Sequence, residues 1–183
     1  MLYNDVRATK PPAQIEKGAR VSQQQQIFWG HRLARWIATG FGVGVIAKAP
    51  GTFGTLIGIP LYLLLRGLTP ALYAASVLVL FMFGVWICTL AERQLGRHDH
   101  PALVWDEVVG YLVTMFFAPA GWVWLVIGFI LFRLFDIWKP FPIRRLERAL
   151  HGGLGTMADD VLAGVYALVM LQIIVRLVST DLA

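Results

Sequence analysis

Charge is scarce in this 183-residue chain. Charged residues make up 15% of it, against about 25% in a soluble globular domain. Apolar residues reach 57% and the mean hydropathy is +0.64. A chain of this length has no core large enough to hide so much apolar surface, so the composition excludes an ordinary water-soluble domain and implies an integral membrane protein. Cysteine is almost missing. The single Cys88 sits inside the apolar run VLFMFGVWICTL, which excludes a disulfide framework or a Cys-rich metal site and leaves a buried, inert thiol. Four histidines (His31, His98, His100, His151) are scattered, and Ser22, Ser76 and Ser179 lie in no catalytic setting, so a Ser–His nucleophile has no support. HDH at 98–100 has the residue types to bind metal but reads first as a solvated loop, and His151 is kept as a candidate acid. Residues 1–26 contain no apolar core of the kind a signal peptide needs. The net charge of +5 comes without any aromatic-interleaved basic motif, so it implies no nucleic acid. It fits a positive-inside bias and attraction to anionic lipid.

What is present is a series of apolar segments, near 53–65, 70–90, 103–118, 121–138 and 158–178. The expected fold is all-α: an integral membrane bundle of four to five apolar helices with short loops and antiparallel sequential neighbours. The first segment is short and carries Pro60, so it either crosses at a slant or enters as a broken helix. Residues 1–30 read as a polar, disordered, cytoplasmic N-terminus, and 31–183 as one membrane-embedded domain. Lys and Arg cluster before the first span, after the second and after the fourth. A five-crossing arrangement with the N-terminus inside therefore places nearly all of them in the cytoplasm. Nothing in the sequence specifies an oligomer.

Five of the eleven acids fall inside or at the lip of these segments: Asp106, Glu107, Asp136, Asp159 and Asp160. A lone acid in the bilayer costs about 2.5–3.5 kcal/mol on insertion scales. Helix N-termini tolerate carboxylates through capping and the dipole, by about 0.3–1 kcal/mol each, which is the plain explanation for Asp106 and Asp159. It fails for Asp136, expected near a helix C-terminus. The topology brings all five to one membrane depth. Two carboxylates 4 Å apart repel by about 4 kcal/mol at an effective dielectric of 20, so such a cluster demands protonation or a cation. Oxygen donors without Cys or His select a hard divalent ion, Mg²⁺ being the usual one.

Anion-binding features reach the same face. AKAPGTFGT (47–55) places Lys48, Gly51, Thr52 and Thr55 at a glycine turn entering a helix, a setting that offers backbone N–H groups to an anion. It lacks the P-loop pattern. RLFDIWKPFP (133–142) brackets Asp136 with Arg133 and Lys139. Snorkelling to headgroups is the bland role for both cations. An acid cluster that holds a metal beside cations and amides is what phosphoryl chemistry requires.

These motifs together resemble a known family. GFGVGVIAKAPGTFGTLIG, VWDEVVGYLV, FRLFDIWKPFPIRRLE and GGLGTMADDVLAG, in this order and spacing, resemble bacterial phosphatidylglycerophosphatase A over residues 36–175. Thr55 stands where many members carry serine. The resemblance implies a Mg²⁺-dependent lipid phosphatase of the bacterial inner membrane, converting phosphatidylglycerophosphate to phosphatidylglycerol and phosphate. It carries the family pattern onto Lys48, Gly51, Thr52, Asp106, Glu107, Arg133, Asp136, Lys139, Asp159 and Asp160. From another class, an ion- or proton-coupled transporter could also use intramembrane acids, but transporter carboxylates lie near the midplane of repeated halves and no repeat is found here. A CDP-alcohol phosphotransferase would carry a DGxxAR run, which is absent.

Overall fold

A computed structural model of the chain describes residues 30–46, 48–96 and 100–180. The expectation of a disordered N-terminus falls outside them. The described residues form eight helices and no strand: α1 (30–38), α2 (Val43–Ile46), α3 (Pro50–Leu65), α4 (Pro70–Leu95), α5 (Trp105–Thr114), α6 (Trp122–Trp138), α7 (Ile143–Ala149) and α8 (Gly153–Thr180).

Local chemistry explains the boundaries. Pro50 and Pro70 open α3 and α4 in the first turn, where a missing N–H costs nothing. Thr69 caps α4 by accepting from the Leu72 N–H, and Gly96 closes it in the left-handed conformation. Lys139, with φ 45°, ends α6 just before Pro140, which cannot continue a helix.

Two helices, α4 with 26 residues and α8 with 28, are long and apolar enough to cross a membrane. That is fewer than the four to five expected. The third segment is the clearest departure: instead of running over 103–118, α5 stops after ten residues, and the chain turns at Met115–Phe117, with Phe117 at φ 61°. The apolar stretch there is partly buried turn, not helix. The best apolar windows of α4 and α8 are only 22% buried. A soluble core helix hides its apolar length, so this exposure marks surfaces suited to lipid.

Where consecutive helices touch they run antiparallel, as expected: Tyr73 meets Leu112 and Leu80 meets Trp105 between α4 and α5, and Gly110 meets Phe132 and Gly128 meets Met115 between α5 and α6. The four-residue connection 66–69 joins α3 to α4, yet α3 lies chiefly on α5 and α4 on α8. Helices α3, α5 and α8 run parallel, as the glycine contacts show. A Cβ added at Gly54 would meet Val104 and Glu107, and one at Gly58 would meet Tyr111. At the α5–α8 crossing a Cβ on Gly164 would strike the Gly110 carbonyl, and one on Gly110 would lie 2.8 Å from the Asp160 carbonyl. Backbones approach there as closely as small residues permit. Because the three parallel helices begin at the same end of the bundle, the first turns of α3 and α5 converge with the second turn of α8.

Candidate functional site

A cleft of about 360 Å³ opens at that end. Its walls come from the α3 start (Ala49, Pro50, Gly51), the segment before α5 (His100, Pro101, Leu103), the α5 start (Asp106, Glu107), the α6 end (Arg133, Asp136, Lys139) and α8 (Asp159, Asp160). All five acids expected to form a site therefore line one cavity, with two of the three expected cations.

The five acids are not equivalent. Asp106, Glu107 and Asp160 each offer an oxygen within 4.8 Å of the others. Asp136 is instead held by Arg133, whose Nη1 donates to Oδ2 at 2.5 Å. Asp159 is held by Lys139, whose Nζ donates to Oδ2 at 2.6 Å. The cleft thus holds an inner carboxylate trio and two flanking ion pairs. Lys139 also lies 3.3 Å from Glu147 on α7. Burial alone would lower its pKa, but Asp159, Glu147 and Asp160 outweigh that and hold it above the ordinary lysine value, so the ammonium keeps its charge through the neutral range.

Helix position changes the meaning of the aspartate pair. The α8 helix starts at Gly153, so Asp159 and Asp160 lie in its second turn, not at its N-terminus. The dipole fades beyond the first turn, and capping does not account for them. Both are nearly fully buried, at 3% and 4% exposure. Asp160 Oδ2, Glu107 Oε2 and Arg133 Nε are buried without any hydrogen-bond partner. Orphaned polar atoms of ionisable groups cost more than a neutral unsatisfied group, and their concentration in one cleft makes it the candidate site.

The α8 start is clamped to α4. The Gly153 N–H donates to Thr89 Oγ1 at 3.1 Å, and the Thr156 hydroxyl donates to the buried Glu92 at 2.5 Å. A Cβ at Gly153 would strike the Val85 carbonyl. This clamp fixes the rotation of α8 and hence the aim of Asp159 and Asp160.

The glycine turn contributes by its smallness. A Cβ at Gly51 would lie 2.5 Å from Glu107 Oε1 and 2.6 Å from Arg133 Nη1, so only glycine lets these side chains close against the α3 start. Thr52 is half-buried, and its N–H donates to the Ala49 carbonyl at 3.1 Å. The Thr55 hydroxyl donates to the Gly51 carbonyl at 2.8 Å, inside its own helix. Lys48 is exposed and lies beside the cleft wall without lining it. His151 is exposed and also outside the lining.

Two contributors escaped the sequence reading. Glu147 joins Lys139 across the α6–α7 turn, which no spacing rule announces. His100 lines the cleft, half-buried, with Nδ1 accepting from the Ala102 N–H at 3.1 Å; the HDH motif was its signal, and His98 and Asp99 lie outside the described residues.

Fold and site define a helical, membrane-associated protein with an acid-rich cleft at one end of its bundle. The family model described as phosphatidylglycerophosphatase A matches residues 36–175. The chain is 42% identical over 130 residues to phosphatidylglycerophosphatase A of Escherichia coli, covering 70% of this chain and 76% of that one. It is 41% identical over 136 residues to the protein of the same name in Haemophilus influenzae, covering 73% and 83%. A Bacteroides thetaiotaomicron protein provisionally named phosphatidylinositol-3-phosphatase is 41% identical over 145 residues, covering 75% and 90%. No solved structure matches the chain. The chain belongs to the phosphatidylglycerophosphatase A family and is an enzyme, a phosphatase.

Proposed function

We propose that the protein hydrolyses phosphatidylglycerophosphate to phosphatidylglycerol and inorganic phosphate, with Mg²⁺, at the cytoplasmic face of the bacterial inner membrane. One observation carries the reading: the carboxylate trio Asp106, Glu107 and Asp160 shares its cleft with the unpartnered Nε of Arg133. The donor set fits a hard divalent cation, being oxygen only, close-set and partly orphaned. Asp106, Glu107 and Asp160 would hold the ion, which when bound supplies neutralisation of phosphate charge and activation of water. Arg133 offers its free N–H to a phosphate oxygen while Asp136 fixes the guanidinium plane. Lys139, steered by Asp159 and Glu147, adds a positive charge at the rim. The acids crowd at one end of the bundle rather than at its middle, which argues against a transporter.

Membrane placement is supported by exposed aromatics at both ends of α6. Phe117 and Trp122 mark one end, Trp138 and Phe141 the other. The 17 residues of α6 separate them by about 25 Å, comparable to a hydrocarbon core of about 30 Å. Lys48, Arg93, Lys139, Arg144 and Arg145 all belong to the cleft end, as the positive-inside rule expects of a cytoplasmic face.

The test is phosphate release by purified protein from phosphatidylglycerophosphate, with phosphatidylinositol 3-phosphate in parallel. Mg²⁺-dependent release with preference for the first substrate is expected. Full activity in EDTA would remove the metal, and preference for the inositol lipid would reassign the substrate.

A further inference from the structure

A second cavity, of about 380 Å³, adjoins the cleft and is lined by Trp138, Lys139, Pro140, Phe141, Arg144 and Arg145. Lys139 belongs to both. Its left-handed backbone turns the chain at the boundary, so the two cavities meet at this residue. They differ in lining: the cleft is polar, while the second cavity is walled mainly by apolar side-chain surface, with two exposed arginines at its edge. In the cleft each lining cation is paired with a carboxylate. In the second cavity Arg144 Nη2 donates to the Trp138 carbonyl at 3.1 Å, and the Arg145 guanidinium lies 4.8 Å from the centre of the Phe141 ring. The two guanidinium groups are thus oriented by a carbonyl and a ring face, and among the described residues neither has a carboxylate partner.

The proposed substrate has two phosphates of different kinds, a terminal monoester and a diester, joined by a three-carbon glycerol bridge. Only the monoester needs the cleft. We propose that Arg144 and Arg145 bind the diester at the mouth of the Trp138–Arg145 cavity, whose apolar wall takes the adjoining lipid glycerol, so that these residues set the preference for lipids bearing both groups. This assignment rests on the phosphatidylglycerophosphatase reading. Trp138 and Phe141, 60% and 69% exposed, stand beside the arginines at the depth where a lipid glycerol would lie. The occupant is therefore part of a lipid held in the membrane, and not a free anion.

The experiment compares phosphatidylglycerophosphate with phosphatidic acid, which has the monoester on the same diacylglycerol but no diester. Both are presented in neutral detergent micelles with saturating Mg²⁺, so that no anionic surface contributes. In the R144Q/R145Q variant the ratio of kcat/KM for phosphatidylglycerophosphate to that for phosphatidic acid should fall about 10- to 100-fold, mainly through KM, as loss of charge-assisted hydrogen bonds predicts. Competitive inhibition by phosphatidylglycerol, which keeps the diester alone, should weaken by at least about tenfold, and this second readout holds even if phosphatidic acid is turned over slowly. R144K/R145K, which keeps the charge, should recover part of both effects. An unchanged ratio together with unchanged inhibition would overturn the subsite, and so would equal losses on both substrates, which mean a general electrostatic or folding effect. A wild type inactive on phosphatidylglycerophosphate would remove the underlying reading and the subsite with it.

Discussion

The two ends of the bundle bury polar groups under opposite rules. At the end away from the cleft, three tyrosines gather with Met115 and Phe116 around the α5 exit. The Tyr73 hydroxyl donates to the Leu112 carbonyl at 2.7 Å and the Tyr111 hydroxyl to the Leu125 carbonyl at 3.2 Å. Two of the three tyrosine hydroxyls there thus have a backbone acceptor, and the helices close on one another mainly through apolar side chains. At the cleft end the same helices bury Asp106, Asp159 and Asp160, half-bury Glu107 and Asp136, and leave Glu107 Oε2, Asp160 Oδ2 and Arg133 Nε unsatisfied. One end satisfies most of its buried polar groups, while the other leaves polar atoms unsatisfied, the stability cost expected of the proposed site. The difference is written in the helices themselves, since α5 carries Asp106 and Glu107 in its first turn and Leu112 in its last.

Substitutions at the two ends should separate activity from stability. The largest effect is expected for Asp160→Asn, which removes a member of the inner trio. Phosphate release should fall by more than about 100-fold, since even residues behind metal ligands give about 10–100-fold. Near-normal turnover would detach Asp160 from the chemistry. Next is Arg133→Lys, which keeps the charge but loses the planar fork shared by Asp136 and the cleft; a loss of about 10–100-fold is expected, and a loss below twofold would show that charge alone suffices. Gly51→Ala should lower activity about tenfold while the protein still folds, because the new methyl pushes apart Glu107 and Arg133; retained activity would mean that these side chains have other places to go. The smallest effect on activity belongs to the far end. Tyr73→Phe should cost about 1 kcal/mol of stability, read as a lower unfolding midpoint in detergent, and change turnover by less than about twofold. If it reduced activity more than Gly51→Ala does, the division between the ends would fail.

Much of the site was legible because charge is so rare here. Acids in apolar runs have few explanations, and Asp106, Glu107, Asp136, Asp159 and Asp160 do line one cavity. Their division into a trio and two ion pairs was not legible, because it depends on the rotation of α6 and α8. That rotation is fixed by long-range contacts such as Thr156 with Glu92. Helix existence was readable from hydropathy, but the length of α5 was not: the apolar run continues through Met115–Phe117 although the backbone turns there. Hydropathy reports which residues avoid water and is silent on whether they do so as helix. The shared direction of α3, α5 and α8 followed from the alternating topology, but their direct contact did not, since short loops argue only about consecutive helices. The glycines that permit it were visible, but not their partners.

The most direct test of the account is thermal unfolding of the purified protein with and without Mg²⁺. The buried trio repels itself when empty, so Mg²⁺ should raise the wild-type midpoint, by an amount corresponding to about 2.7 kcal/mol at one hundred times the dissociation constant. Asp160→Asn relieves that repulsion and removes a ligand atom, so without the ion this variant should unfold at or above the wild-type temperature and gain little when Mg²⁺ is added. A wild-type midpoint indifferent to Mg²⁺, or an Asp160→Asn protein that gains as much as the wild type, would contradict the claim that these carboxylates are buried to hold a cation.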